Sequence, residues 1–95
     1  MNTPKARLLL VEDTPDIALW LAAALRQGGF EVDTAADGLL ALQALAPGHG
    51  FDAVVLDLQL PGLDGLQVLE RLRGRGDAVP VLILTARASV PDRVL

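Results

Sequence analysis

Three runs of aliphatic residues constrain the fold of this 95-residue chain more than any other feature. They occupy residues 8–11, 53–56 and 81–84. A run that is apolar at every position is typical of a strand buried on both faces, as in a parallel sheet covered by helices. A weaker alternating stretch at residues 30–35 predicts one more strand, so the sequence predicts four strands in all.

Segments with helical spacing separate these strands, and each has recognisable ends. The predicted helices begin after Thr14, Asp37 and Asp64, and they end at Gly28, before Pro47 and at Gly74. Pro15 stands at the first helical position, where its missing N–H costs nothing. Strands that alternate with helices of this length predict an α/β fold, a doubly wound parallel sheet with right-handed crossovers.

The composition limits the class of protein. Ninety-five residues suffice for one domain, residues 1–95, and its 3% aromatic content predicts a core of aliphatic side chains. Without cysteine or an export sequence, a cytoplasmic location is expected. The longest apolar stretch, residues 17–25, is too short to cross a membrane. The net charge of −4, with scattered basic residues, predicts that this segment binds no nucleic acid.

Acidic residues stand where two of the apolar runs stop. Glu12 and Asp13 follow the first run, and Asp57 follows the run at 53–56. Each of them alone is explained by ending a strand and capping the next helix. Together they predict a site, because the carboxyl ends of parallel strands meet at one edge of the sheet. Clustered carboxylates repel each other, and Mg²⁺, which prefers oxygen ligands, relieves that repulsion.

The loops around these acids carry a more specific pattern. The stretch from Asp57 to Gly65 reads DLQLPGLDG, and the run at 81–84 is followed by Thr85, Ala86 and Arg87. In order and spacing, residues 7–95 resemble the receiver domain of bacterial two-component response regulators. The resemblance implies a flavodoxin-like fold, with sheet order 2-1-3-4 for the four predicted strands.

The resemblance also implies a Mg²⁺ site. Asp13 and Asp57 would bind the ion directly, Glu12 would hold a metal-bound water, and the backbone carbonyl of Gln59 would complete the protein ligands. Positioning and charge neutralisation of this kind are what phosphoryl transfer requires.

A phosphoryl site is implied next to the metal. Asp57 would accept a phosphoryl group from a phosphohistidine of a sensor histidine kinase. The Thr85 hydroxyl would contact a phosphoryl oxygen, and the backbone of Ala86 and Gln59 would contact the others. The chain would then be no enzyme in the ordinary sense, with at most weak self-catalysed transfer or dephosphorylation. Residues 60–66 and 87–95 are most similar to those of regulators whose receiver precedes a winged-helix DNA-binding output domain.

One departure from the family concerns its essential lysine at the end of a fifth strand. The single lysine of this chain, Lys5, precedes the first strand instead. We therefore expect a receiver domain that is incomplete at its carboxyl end, lacks the fifth strand and helix, and stops in a fourth helix that begins near Pro91. A fragment of a longer regulator and a natural short form both fit this expectation.

Loss of a fifth strand would leave the apolar strand at residues 79–84 on the edge of the sheet. Exposed apolar edges pair with other strands. The sequence therefore predicts self-association, either by edge pairing of this strand or by exchange of the carboxyl-terminal segment.

Other functions remain as alternatives. A degenerate receiver would act only as a dimerisation or docking module without phosphorylation. A small phosphatase with an aspartate nucleophile would need a second aspartate where this chain has Gln59. The sequence has neither a P-loop nor a dinucleotide-binding glycine motif.

Two conspicuous side chains receive no chemical role. Trp20 is predicted either to pack on the sheet or to be partly exposed. His49 has no second histidine or cysteine at ligand spacing, and we predict a solvated loop residue.

Overall fold

The computed structural model describes residues 5–84 and 93–94, which form one sheet and three helices. The strands are β1 (Arg7–Val11), β2 (Glu31–Ala35), β3 (Ala53–Asp57), β4 (Val81–Leu84) and β5 (Arg93–Val94). The helices are α1 (Pro15–Gln27), α2 (Gly38–Ala44) and α3 (Gly65–Gly74). Each of the four predicted strands and three predicted helices is present, with ends within a few residues of the prediction.

The order of the strands across the sheet is β2-β1-β3-β4-β5. Strands β1 to β4 are parallel, so the predicted order 2-1-3-4 is confirmed. In the register between β1 and β3, Val11 lies opposite Leu56. The residues that follow this pair, Glu12 and Asp57, therefore reach the same level at the carboxyl edge of the sheet.

The outer edge of β4 differs from the prediction. Arg93 and Val94 form a short antiparallel strand there, opposite Ile83 and Leu82 respectively. The prediction of a helix through these two residues was therefore wrong, whereas Pro91, its expected start, lies outside the described residues. The physical reason is that unpaired N–H and C=O groups of an edge strand favour pairing with any extended segment in reach, whereas a single helical turn has little to stabilise it.

The helix starts depend on local capping. Asp37 accepts a hydrogen bond from the Leu40 N–H at 2.8 Å and caps α2. Asp64 and Gln67 form a reciprocal capping box at the start of α3. Thr14 is the N-cap of α1, but its side chain makes no capping bond. Within residues 5–84, no helix is long and apolar enough to cross a membrane.

The core is distributed unequally over the two faces of the sheet. The larger cluster fills the space between the sheet and helices α2 and α3, with Leu9, Leu45, Leu56 and Leu72 fully buried. A smaller cluster on the other face is centred on Ala22 of α1. Most of the apolar burial that stabilises this fold therefore lies on the side of α2 and α3.

Leucine spacing alone does not identify the buried faces of the helices. Leucines recur at near-helical intervals in α2 (Leu39, Leu42, Leu45) and α3 (Leu66, Leu69, Leu72). The first of each set, Leu39 and Leu66, are 61% and 51% exposed. Val68, which lies outside the leucine repeat of α3, is fully buried instead. On α1, Trp20 is 69% exposed, so the second of its two predicted environments is the one observed.

The prediction that His49 is a solvated loop residue was wrong. The His49 side chain is only 10% exposed, and its Nε2 lies 2.9 Å from Asp77 Oδ2. Nδ1 accepts a hydrogen bond from the Phe51 N–H at 2.9 Å. The Val79 N–H, and after it His49, hold the pKa of Asp77 below its ordinary value. These contacts join the loop before β3 to the loop before β4, and local sequence spacing cannot reveal them because their residues are far apart along the chain.

Candidate metal centre

Three carboxylates meet at the carboxyl edge of the sheet. Glu12 and Asp13 follow the last residue of β1, and Asp57 is the last residue of β3. One oxygen from each of the three lies within 4.8 Å of the others. The predicted convergence of these side chains is present, and it follows directly from the parallel pairing of β1 with β3.

Glu12 is the buried member of this group. It is only 7% exposed, and its own N–H is used in a hydrogen bond to the Ala35 carbonyl. Burial raises the pKa of the Glu12 carboxyl, and a hydrogen bond with Asp57 raises it further. The Thr14 N–H opposes this by donating to Oε1 at 3.2 Å. Two carboxyl groups at this distance repel when both are ionised, and a proton or a cation between them relieves that repulsion.

Asp57 is held in a defined orientation by the loop that follows it. The Gln59 N–H donates to Oδ1 of Asp57 at 3.0 Å. The backbone of the next residue, Leu58, is hydrogen-bonded on both sides. Its N–H donates to the Leu84 carbonyl, and its carbonyl accepts from the Gly65 N–H. The Asp57 carboxylate is partly buried and Asp13 is exposed, so the site is open to solvent on the Asp13 side.

A cleft of about 430 Å³ opens beside the carboxylates. Its polar side includes all three acids and Gln59. Its other side is apolar and consists of Ile17 and Leu21 of α1 together with Leu84 of β4. We did not predict this apolar wall, although the spacing of Ile17 and Leu21 by one helical turn is a signal that both face the same side.

The structure places some of the predicted site residues at this cleft. The structure brings Glu12, Asp13, Asp57 and Gln59 together around one cleft. Thr85 and Ala86, predicted to contact the phosphoryl group, lie outside the described residues. Lys5 precedes β1, at the opposite edge of the sheet from the acids.

The donor set fits Mg²⁺. Every ligand atom offered is a hard carboxylate oxygen, and the spacing of the three oxygens suits one shared cation. Mg²⁺ retains several waters and therefore needs few protein ligands, and the exposure of Asp13 leaves room for those waters.

Comparison with known proteins agrees with this geometry. The profile of the response regulator receiver domain matches residues 8–94. The chain belongs to this family. It is 52% identical over 88 residues to the transcriptional regulatory protein TctD of Salmonella typhimurium and 51% identical over 88 residues to TcrA of Mycobacterium tuberculosis. Each match includes 93% of this chain but only 39% of TctD and 34% of TcrA, so the chain spans little more than a third of these relatives.

Solved receiver structures superpose closely on this fold. The receiver domain of the Francisella response regulator 1452 has a TM-score of 0.83 at 30% identity, over 90% of this chain and 70% of that one. The response regulator TrrA of Thermotoga maritima, in complex with Mg²⁺ and BeF, has a TM-score of 0.81 at 36% identity, over 88% of this chain and 72% of that one. The relatives are named as regulators rather than enzymes.

Proposed function

We propose that this receiver domain accepts a phosphoryl group from a sensor histidine kinase on Asp57, with Mg²⁺ bound beside it. The observation that carries the proposal is the convergence of Glu12, Asp13 and Asp57, with Asp57 oriented by the Gln59 N–H. The complex of TrrA with Mg²⁺ and BeF supports the same chemistry in a relative of similar fold.

In this proposal, Asp13 and Asp57 bind Mg²⁺ directly, Glu12 binds it through water, and the Gln59 backbone carbonyl completes the protein ligands. The ion supplies positive charge that neutralises the carboxylates and the incoming phosphoryl oxygens. The protein contributes orientation, because β1 and β3 present the acids at one level and the loop after Asp57 restricts rotation of its carboxylate.

The proposed transfer forms one bond and breaks one. A carboxylate oxygen of Asp57 bonds to phosphorus, the P–N bond of the phosphohistidine breaks, and its electron pair returns to the imidazole nitrogen. We assign the Thr85 hydroxyl and the backbone of Ala86 and Gln59 to contacts with the phosphoryl oxygens. Beyond this step, the receiver performs at most weak self-catalysed transfer and dephosphorylation.

The biological output we propose is regulation of transcription in the cytoplasm. The matched relatives are named transcriptional regulatory proteins and are more than twice as long as their matched segment. A winged-helix DNA-binding output domain, outside this chain, would act on DNA, while the receiver segment itself binds none. The net charge of −4 supports that division of roles.

Beryllofluoride provides the test, because it binds to a phosphoacceptor carboxylate in place of a phosphoryl group. In the presence of Mg²⁺ we expect the wild-type protein to bind it and the Asp57→Asn variant to lose binding, as monitored by ¹⁹F NMR. Asp33→Asn is the matched control, since the Asp33 side chain forms an exposed ion pair with Arg7, away from the carboxylate cluster, and should not affect binding.

Two results would contradict the proposed role of Asp57. A wild-type protein that binds Mg²⁺ but no beryllofluoride would contradict the phosphoacceptor role and would favour a degenerate receiver that acts only in docking or dimerisation. Equal binding by wild type and Asp57→Asn would assign the beryllofluoride site to another residue.

We also propose that the chain self-associates through β4. Among the described residues, Leu82 and Ile83 of this strand pair with β5, and Leu82 is 37% exposed. Edge pairing between two β4 strands would use the edge that β5 covers at Leu82 and Ile83, with β5 displaced, and exchange of β5 between two chains would repeat the β4–β5 pairing across the dimer. Both routes place Leu82 at the contact.

Multi-angle light scattering over a range of protein concentrations measures this association. We expect a mass that rises with concentration for wild type and a lower mass for Leu82→Lys, because a charge on an edge strand opposes pairing. Leu39→Lys, at an exposed position on α2, should behave as wild type. A monomer at every concentration would contradict the proposal.

A further inference from the structure

Gly38, the first residue of α2, lies unusually close to another segment of the backbone. A Cβ atom at this position would collide with the carbonyl oxygen of Leu63 and would lie 3.0 Å from its carbonyl carbon and from its Cβ. The φ angle of Gly38 is not positive, so an alanine could adopt the same backbone conformation. Space, rather than conformation, therefore requires glycine at this position.

The segment that Gly38 contacts is the loop between β3 and α3, residues 58–64. This loop leaves Asp57 directly and carries Gln59, whose N–H orients the Asp57 carboxylate. Its far end is also tightly packed, because a Cβ on Gly65 would lie 2.5 Å from the Asp57 carbonyl oxygen. The start of α3 thus supports the loop from one side.

The start of α2 supports it from the other side. Asp37 caps α2 through the Leu40 N–H at 2.8 Å, which stabilises the first turn of the helix where Gly38 stands. Leu63 belongs to the set of side chains packed against the larger core cluster. The Leu63 carbonyl is therefore held between the core and the first turn of α2, and Gly38 permits the approach.

We propose that Gly38 is a positioning residue for the metal centre. It lets α2 pack directly on the loop of residues 58–64, and this contact keeps Gln59 and Asp57 in the geometry that binds Mg²⁺. The inference rests on the proposed function of the site. Gly38 itself touches neither the ion nor the reacting atoms.

The experiment compares Gly38→Ala with wild type by isothermal titration calorimetry with MgCl₂, at a temperature where circular dichroism shows both proteins folded. We expect Gly38→Ala to bind Mg²⁺ about tenfold more weakly, in the range typical of residues that orient metal ligands. In ¹⁵N NMR spectra, the amide of Gln59 should shift. The matched control is Gly74→Ala at the end of α3, where an added Cβ meets nothing within 4 Å and Mg²⁺ affinity should not change.

A purely structural role for Gly38 makes a different prediction, namely a lower free energy of unfolding with unchanged Mg²⁺ affinity of the folded protein. That result would overturn the proposal. Failure of the wild-type protein to bind Mg²⁺ would instead overturn the proposed metal site itself, so the two failures are distinguishable.

A second variant keeps the test valid if Gly38→Ala does not fold. Leu63→Ala keeps the carbonyl and the Cβ that Gly38 approaches, but it removes the side-chain packing that holds this part of the loop against the core. We expect it to weaken Mg²⁺ binding as well, and unchanged affinity in this variant would overturn the proposal.

Discussion

Replacing Asp13 with asparagine is expected to weaken Mg²⁺ binding by at least about tenfold, a loss of roughly 1.4 kcal/mol in binding free energy. Asp13 is the most exposed of the three carboxylates and offers an oxygen within 4.8 Å of the other two. The substitution keeps the shape of the side chain but removes its charge. At an effective dielectric constant of about 20, a unit charge about 4 Å from a divalent ion interacts with it by roughly 8 kcal/mol, and the hydration of the ion offsets most of this.

Isothermal titration with MgCl₂ at constant ionic strength measures this change. Asp16→Asn is the control, because Asp16 is an exposed acid in the first turn of α1, three residues away, and is not part of the carboxylate cluster. Both variants lose one negative charge. Equal affinities for the two variants would show that general electrostatic attraction, rather than coordination by Asp13, holds the ion.

Replacing Leu9 with alanine is expected to remove most of the stability of the fold. Leu9 lies in the central part of the sheet and is fully buried in the larger core cluster. Leucine-to-alanine substitutions in such positions cost about 2–5 kcal/mol, through lost burial and the cavity left behind. Small domains have a free energy of unfolding near the lower end of about 5–15 kcal/mol, so this variant should be largely unfolded at modest urea concentrations.

Urea denaturation followed by circular dichroism provides the measurement. The control is Leu39→Ala, which makes the same chemical change at a position that is 61% exposed, and which should shift the free energy of unfolding by less than about 0.5 kcal/mol. Similar effects of the two substitutions would contradict the assignment of Leu9 to the core.

Much of the fold was predictable from local sequence alone. The aliphatic runs that end at Val11 and Leu56 predicted buried parallel strands, since only a strand covered on both faces is apolar at every position. Asp37 and Asp64 marked the starts of α2 and α3, because an aspartate at the N-cap accepts hydrogen bonds from the first helical turn. These signals act over a few residues and need no partner segment.

The candidate site was predictable to the extent that it follows from strand direction. Glu12, Asp13 and Asp57 had to share an edge once β1 and β3 were parallel neighbours. The burial of Glu12, its raised pKa and its hydrogen bond with Asp57 were not predictable, because they depend on how closely separate segments pack around the Glu12 carboxyl and bring Asp57 to it.

Local pattern by itself thus determined the four parallel strands, the three helices between them and the edge at which the acids meet. Tertiary structure alone decided that Leu66 is exposed, that His49 pairs with Asp77, that Arg93–Val94 pairs with β4 and that Gly38 packs against Leu63. The physical reason is the distance along the chain over which each interaction acts. Periodicity and capping are properties of neighbouring residues, whereas burial, ion pairing and close backbone approach depend on packing between segments that are distant in the chain or on different elements of the fold.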